Sequence, residues 1–334
     1  MQIRFTDILA ARARLAGTAL GTPMVPSTAL QARLGHPVWH KLELCQPTGA
    51  FKLRGAMNAI SRLGPDAQGV TCASTGNHGR AVAWAAKARG LRAVVCLSSL
   101  VPRAKVEGIR ALGAEIRTIG RSQDDAQAEV DRLVAEEGLA EIPPFDHPDI
   151  IAGQGTIGLE MLEAVPDLTT LLVPLSGGGL AAGVALAAKT LAPDIRVIGI
   201  SMDRGAAMDE SLRAGHPVPV EEVASLADSL GGGIGATNRH SFALCRDLLD
   251  EVVLLTEDEI YRGIQSAFHD ERLVAEGGAA VGIAALLAGK VALDGPAATI
   301  LTGRNADMDQ IARIVAGQSV TVGDRSIDGG PYEP

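Results

Sequence analysis

The stretch "LVPLSGGGLAAGVALA" (172–187) joins an apolar run, three consecutive glycines and a series of small residues. The apolar run is typical of a buried strand, and the small residues are typical of a helix packed closely on a sheet. Glycines between them let backbone N–H groups curl around an anion at the N-terminus of the helix. The stretch therefore predicts a strand, a loop suited to a phosphate and a helix, although a tight turn that binds nothing would use the same residues.

The same alternation of strand and helix patterns continues over most of the chain. Apolar runs that predict strands lie at 69–74, 93–98, 115–120, 170–175, 196–201, 251–256 and 298–303. Alternation of this kind indicates parallel sheets flanked by helices, so we expect an α/β fold. The tail from about 318 loses its periodicity and is expected to be a surface extension or a frayed end.

Composition narrows the function classes. The chain has 334 residues, of which 47% are hydrophobic and 21% charged, and a net charge of −9. This balance is typical of a globular protein, and the negative charge argues against nucleic acid or an anionic membrane as partner. The N-terminal segment lacks the apolar core of a signal peptide, and no apolar run reaches the roughly 18 residues of a membrane span. We therefore expect a cytoplasmic protein with free thiols, since the cysteines form no zinc pattern.

A second stretch, "PTGAFKLRGA" (47–56), sets a lysine in a half-apolar frame. Lys52 stands between Phe51 and Leu53, and a lysine held among apolar groups can lose its proton and form a Schiff base. An ordinary solvated lysine on a helix surface would explain the same decapeptide. The stretch alone leaves both interpretations open.

Two further loops follow predicted strands. "STGNHG" (74–79) brings two hydroxyls, an amide and an imidazole to a strand–helix junction, and "LTGRNAD" (301–307) has a similar layout. Backbone N–H groups at the start of a helix favour an anion. With the glycine triplet, these loops predict a second anion pocket near the first.

The four stretches, in this order and at these distances, resemble the fold-type II pyridoxal-phosphate enzymes, and within them the serine/threonine dehydratase group. "FDHPDIIAGQGTIGLE" (145–160) is similar to the interdomain segment of that group, and the resemblance covers residues 20–315. It implies a tryptophan synthase β-like architecture of two domains. These would be a large cofactor-binding domain (1–68 plus 148–317), a small mobile domain (69–147) and a C-terminal extension (318–334).

The resemblance also implies a role for each matching residue. Lys52 would form the Schiff base, and Lys52 and Thr75 would be the catalytic residues. The cofactor would contact Phe51, Lys52, Asn77, Ser176, Gly177, Gly178, Gly179, Leu180, Glu276 and Thr302. The substrate carboxylate would bind to Ser74, Thr75, Gly76 and His78. For Glu276 two roles stay open, tuning protonation near the cofactor ring or capping the helix that follows.

The implied activity is β-elimination of water from a β-hydroxy amino acid, which gives a keto acid and ammonia with pyridoxal 5'-phosphate as cofactor. A hydroxyl partner such as Thr302 would leave the ring nitrogen largely unprotonated and favour prompt loss of the leaving group. Racemases of the group carry a serine at the position of Thr75, so racemisation is less favoured. The group's divalent-metal site is expected to be absent, since its acidic positions match Ser201 and about Ala207.

The substrate is less sharply indicated. "VWHKLELCQPTGAFKLRGA" (38–56) and "ISMDRGAAMDESL" (200–212) are similar to the hydroxyectoine utilization dehydratases, which implies a hydroxylated diamino acid or a derivative of one. L-threonine, L-serine and threo-3-hydroxyaspartate remain alternatives. The length leaves no room for the regulatory domain of biosynthetic threonine deaminases, which favours a catabolic enzyme.

Two other classes of protein are less favoured. A β-replacement transferase would carry an acidic residue after the lysine, where this chain has Leu53. A non-enzymatic binding protein on the same scaffold would not need Lys52, Asn77 and Thr302 together. Because relatives are commonly dimers, we expect a homodimer.

Overall fold

The computed structural model describes residues 3–74, 76–99, 101, 103–121 and 123–333. Its strands are β1 (Met24–Pro26), β2 (Val38–Lys41), β3 (Val70–Ala73), β4 (Ala93–Leu97), β5 (Glu115–Thr118), β6 (Ala140–Glu141), β7 (Thr170–Pro174), β8 (Arg196–Met202), β9 (Glu251–Leu255), β10 (Ala297–Ile300), β11 (Val320–Val322) and β12 (Arg325–Ile327). Its α-helices are α1 (Phe5–Leu15), α2 (Thr28–Leu34), α3 (Lys52–Ser61), α4 (Asn77–Ala88), α5 (Arg103–Arg110), α6 (Gln123–Glu137), α7 (Pro148–Ala164), α8 (Gly179–Leu191), α9 (Ala207–Ala214), α10 (Ser241–Leu248), α11 (Glu257–His269), α12 (Gly277–Leu287) and α13 (Met308–Val315).

Two sheets organise these elements. The larger has the strand order β1-β2-β10-β7-β8-β9, and the smaller has the order β5-β4-β3-β6. Neighbouring strands are parallel in both, except that β1 runs antiparallel to β2. Separate apolar clusters cover both faces of the larger sheet, so its central strands are buried on both sides as their continuous apolar sequences require. The predicted α/β fold of parallel sheets flanked by helices is confirmed.

Every strand predicted from an apolar run is present, within three residues at each end. The prediction missed the short strands β1, β2 and β6, which lack a continuous apolar run. It also missed the hairpin of β11 and β12 in the tail, where Val320, Val322 and Ile327 are buried in the core of the larger sheet. A frayed tail is therefore wrong, and the alternation of "VTV" before a Gly-Asp turn was the available signal.

Small residues bring α7 very close to its neighbours. A Cβ atom on Gly183 of α8 would lie 2.4 Å from the carbonyl oxygen of Ile151, and one on Gly153 of α7 would lie 2.7 Å from that of Arg54 on α3. Atoms at such distances overlap, and a backbone oxygen cannot turn away as a flexible side chain can. Helices α3, α7 and α8 are therefore locked in one layer, and α3 and α8 carry two of the predicted site motifs.

A buried ion network fixes α3 further. The Arg54 guanidinium donates to both carboxylate oxygens of Glu43, at 2.9 and 2.7 Å, and to both of Glu160, at 2.6 and 2.8 Å. Burial alone would lower the pKa of Arg54, but the charges of Glu43 and Glu160 raise it. Burial would likewise raise the pKa of Glu43, yet Arg54 holds it below its usual range. The pairing is therefore ionised on both sides.

The packing of α8 on α7 predicts the effect of one methyl group. We expect Gly183→Ala to lower the free energy of unfolding by about 1–3 kcal/mol, despite the higher helix propensity of alanine, because the helices must separate. Urea unfolding would measure this. The control is Gly64→Ala, since a Cβ there meets nothing within 4 Å. Equal stability of the two variants would contradict the tight packing of α7 and α8.

The ion network predicts a larger loss. We expect Arg54→Met to cost about 3–5 kcal/mol of unfolding free energy at neutral pH, because it leaves the buried carboxylate of Glu43 without its ion-pair partner. Arg62→Met, which removes an exposed pair with Asp149, should cost less than about 1 kcal/mol. Arg54 lowers the pKa of Glu43 in the folded protein, and this stabilises the wild type at pH values above the ordinary glutamate pKa. The stabilisation is lost as the pH falls and Glu43 takes up a proton. The difference in unfolding free energy between Arg54→Met and wild type should therefore become smaller in acid. A gap independent of pH would contradict the network.

Candidate active site

Lys52 opens α3, and its amine is held in a confined environment. Nζ donates to the carbonyl oxygen of Pro144 at 2.7 Å and lies 5.3 Å from the centre of the Phe51 ring. Burial lowers the pKa of Lys52 to about 8, while the negative charge of Glu276 opposes this shift. A usable fraction of the amine is therefore neutral near physiological pH, as a nucleophile or base requires.

The glycine loop joins β7 to α8 under an aromatic ring. Gly178 has φ +84, which favours glycine. A Cβ on Gly177 would lie 2.3 Å from the Phe145 ring, and one on Gly179 would lie 2.8 Å from the Phe145 carbonyl oxygen. Ser176 at the start of the loop is half-buried, and the Leu180 side chain packs into the core. Only glycines fit along this part of the loop.

Helix α10 supports the loop from its outer side. The Ser241 hydroxyl donates to the Gly177 carbonyl at 2.7 Å, and the Cys245 thiol lies 3.6 Å from the Gly178 carbonyl. Asp146 in turn accepts hydrogen bonds of 2.8 Å from the backbone N–H groups of residues 239–241. The loop carbonyls are thus engaged, while the first N–H groups of α8 have no partner within the helix. These N–H groups are what the loop offers to an anion.

The second predicted pocket lies at the start of α4. The Ser74 hydroxyl accepts hydrogen bonds from the N–H groups of Gly76 and Gly79, at 3.4 and 3.0 Å. Nε2 of buried His78 lies 2.7 Å from the carbonyl oxygen of Ile142. Since a carbonyl only accepts, Nε2 carries the hydrogen and Nδ1 is an acceptor, which has no partner among the described residues. Thr75 lies outside the described residues.

The charge state of His78 differs from that of an ordinary histidine. Burial, together with the nearby positive charge of Lys52, lowers the pKa of His78 to about 3. The ring is therefore neutral at any physiological pH. It can accept a hydrogen bond at Nδ1, but it adds no positive charge to the pocket.

The remaining predicted residues meet at the junction of the two sheets. Asn77 Nδ2 donates to Oε1 of Glu276 at 2.8 Å, and the Phe51 N–H donates to the Thr302 carbonyl at 2.9 Å. Glu276 precedes α12 and is 4% exposed, but its carboxylate makes no capping hydrogen bond among the described residues. Its position at the start of α12 agrees with the helix-dipole role, and its proximity to Asn77 and Lys52 agrees with the electrostatic role, so both predictions stay open.

Sequence reasoning missed three residues that shape this region. Pro144 and Phe145 cover the lysine and the glycine loop, and Asn305 donates to Asn77 Oδ1 at 2.7 Å. All three lie in or beside stretches that the sequence had singled out. No local pattern in the sequence distinguished these three residues from their neighbours in those stretches.

These features fit pyridoxal phosphate. The cofactor needs an amine of lowered pKa for its aldehyde, an anion cradle for its phosphate and polar groups around its ring. Lys52 supplies the first, and the loop that any Cβ would obstruct supplies the second. Asn77 with Glu276 and the unpartnered Nδ1 of His78 supply polar groups nearby. The described residues place no cluster of three or more His, Cys, Asp or Glu side chains to hold a metal ion, and no described helix is long and apolar enough to span a membrane.

Sequence comparison identifies relatives over nearly the whole chain. A protein of Sinorhizobium fredii that carries the provisional name of threonine dehydratase is 58% identical over 92% of this chain and 93% of its own. The L-threonine ammonia-lyase of Geobacter sulfurreducens is 38% identical over 96% of this chain and 80% of its own. The L-threo-3-hydroxyaspartate ammonia-lyase of Saccharomyces cerevisiae is 36% identical over 94% and 97%.

Solved structures agree with this placement. Maize serine racemase superposes with a TM-score of 0.89 at 32% identity, covering 94% of this chain and 97% of that one. The processed form of threonine deaminase isoform 2 from Solanum lycopersicum gives 0.86 at 34% identity, covering 93% and 86%. The family described as "Pyridoxal-phosphate dependent enzyme" matches residues 15–303. The chain therefore belongs to this family, in its threonine dehydratase-like branch, and is a pyridoxal-phosphate-dependent ammonia-lyase.

Proposed function

We propose that this ammonia-lyase eliminates water from a β-hydroxy amino acid derived from hydroxyectoine, a hydroxylated diamino acid or a derivative of one. The products would be a keto acid and ammonia. The observation that supports this reaction most directly is the Lys52 amine, whose pKa of about 8 lies below that of a solvated lysine. Part of this amine is therefore neutral near physiological pH and can act as a base. The similarity of residues 38–56 and 200–212 to hydroxyectoine utilization dehydratases supports this substrate. The names of two relatives, an L-threonine and an L-threo-3-hydroxyaspartate ammonia-lyase, also refer to β-hydroxy amino acids.

Bound pyridoxal phosphate supplies an aldehyde that bonds to an amine and an electron sink for the charge that develops at Cα. In our proposal Lys52 anchors the cofactor and, once free and neutral, takes the proton from Cα. Its hydrogen bond to Pro144 and the ring of Phe51 restrict the directions in which Nζ can point. The amine is thereby oriented before the substrate arrives.

The glycine loop would hold the cofactor phosphate. Ser176, Gly177, Gly178, Gly179 and Leu180 would contribute backbone N–H groups at the positive end of the α8 dipole. Because Ser241 and Cys245 engage the loop carbonyls from behind, these N–H groups are held toward the ligand. The hydroxyl of Thr302 would face the ring nitrogen.

The start of α4 would hold the substrate carboxylate. Ser74, Thr75 and Gly76 would provide hydroxyl and N–H donors there, and Thr75 would also serve the second face of Cα. Since His78 is neutral, the attraction would come from these donors and the helix dipole rather than from an imidazolium. Closure of a small domain formed by residues 69–147 would complete the pocket, and a cytoplasmic homodimer remains our prediction for the assembly.

The lowered pKa of Lys52 predicts how the unloaded protein takes up its cofactor. Only the neutral amine attacks an aldehyde, so the rate of capture should rise about tenfold per pH unit and level off above pH about 8. Stopped-flow absorbance of the covalent adduct would measure it. Lys52→Ala should form no adduct, while Lys87→Ala, which changes an exposed lysine, should behave as wild type. A rate still rising at pH 10 would contradict the depressed pKa.

The substrate can be identified by a panel of amino acids. We expect the highest kcat/KM for ammonia release with hydroxyectoine-derived hydroxylated diamino acids, and lower values for L-threonine, L-serine and threo-3-hydroxyaspartate. Ammonia and keto acid should appear in equal amounts. A higher kcat/KM with any of the three alternatives would reassign the substrate, and thioether formation with added thiols would indicate β-replacement instead.

Racemisation is the second candidate, since maize serine racemase superposes closely on this chain. It needs a proton donor on the face of Cα opposite Lys52, the place proposed for Thr75. Chiral analysis of L-serine after incubation distinguishes the two activities. We expect pyruvate with little D-serine, and D-serine in excess of pyruvate would favour the racemase.

A further inference from the structure

A chain of side-chain amides crosses from the larger sheet to the smaller one and back. Asn305 Nδ2 donates to the Thr48 carbonyl at 2.9 Å and to Asn77 Oδ1 at 2.7 Å. Asn77 Nδ2 then donates to Glu276 Oε1 at 2.8 Å. Asn77 opens α4 against the smaller sheet, whereas the other three residues belong to segments around the larger one.

The Thr48 carbonyl, at one end of this series of hydrogen bonds, determines the orientation of both side-chain amides, Asn305 and Asn77. A carbonyl only accepts, so the NH₂ group of Asn305 must face Thr48. Its two hydrogens then serve Thr48 and Asn77, which makes the oxygen of Asn77 the acceptor. The NH₂ group of Asn77 must in consequence face Glu276. Flipping Asn77 alone would bring two donors together and lose both bonds.

The fit of Asn305 depends on the turn before Lys52. Gly49 has φ +75, and a Cβ there would lie 2.8 Å from Asn305 Oδ1. Any other residue at Gly49 would be strained and would press on the amide. The turn that leads into α3 therefore also provides the space in which Asn305 sits.

The Asn77 Nδ2 group has two hydrogens, and one of them is bound to Glu276. The other has no acceptor among the described residues. We propose that Asn305 is a positioning residue that holds the Asn77 amide with this free N–H directed at the cofactor. The proposal rests on the role proposed above for Asn77 as a cofactor contact. Asn305 touches neither the reacting atoms nor Lys52 and acts through Asn77. By the same bonds it links the start of α4 to the loop of the lysine.

A double-mutant cycle tests this assignment. Asn77→Ala should raise the Kd for pyridoxal phosphate about tenfold, the equivalent of one well-formed hydrogen bond. Asn305→Ala should raise it about fivefold alone, but by less than about twofold in the Asn77→Ala background, because its effect passes through Asn77. Kd is measured by fluorescence titration, and the absorption band of the bound cofactor should shift in both single variants. Arg304→Ala, an exposed neighbour, should change neither quantity.

Hydrogen exchange of the unloaded protein gives a readout that needs no cofactor. Amides at the start of α4, residues 77–81, should exchange about tenfold faster in Asn305→Ala than in wild type, since the link to the larger sheet is lost. If Asn305→Ala yields no folded protein, Asn305→Asp keeps the size of the side chain and removes both donors. It should give the same loss of coupling.

The outcomes separate the two levels of the proposal. No change of Kd or absorption in Asn77→Ala would overturn the role of Asn77, and the positioning role with it. An effect of Asn77→Ala with none from Asn305→Ala would overturn only the assignment of Asn305. Fully additive effects in the double variant, with no faster exchange in α4, would show that Asn305 acts on stability alone and would also overturn it.

Discussion

The burial of one guanidinium is the constraint on which the site depends. Arg54 stands two residues after Lys52 on the same helix and pairs with the carboxylates of Glu43 and Glu160. A charge so enclosed can neither reach water nor shift without losing several charge-assisted bonds, each stronger than a neutral one. Helix α3 therefore cannot rotate or slide along its axis. The direction of the Lys52 side chain follows from that restriction.

The segment between β6 and α7 joins the parts of the site to one another. Four residues of this segment each contact a different part of the site. The contacts are Ile142 with His78, Pro144 with Lys52, Phe145 with the glycine loop, and Asp146 with the start of α10. A chain crossing between two sheets usually serves only as a connection. Here it also covers the lysine and the glycine loop.

The electrostatics of the pocket are set by few charges. Desolvation disfavours the Lys52 ammonium and the His78 imidazolium alike, and each would repel the other if both were charged. Glu276 stabilises the ammonium only partly, so Lys52 is present in both charged and neutral forms near physiological pH, whereas His78 is neutral. In our proposal, bound anions are held by helix N-termini and hydroxyls rather than by His78. Such donors keep their orientation without the reorganisation that long charged side chains need.

The sequence by itself determined the fold class, the seven strands with continuous apolar runs and the stretches of the candidate site, because apolar runs and glycine loops are local features of the chain. The cofactor and the family could likewise be read from ordered motifs. Only the tertiary structure decided that Asn305 meets Asn77 and that Asn77 meets Glu276, across 228 and 199 residues of sequence. It also decided the neutral state of His78 and the presence of the short strands β1 and β2. Each of these depends on which groups exclude water or supply a hydrogen-bond partner, and no local pattern in the chain encodes that.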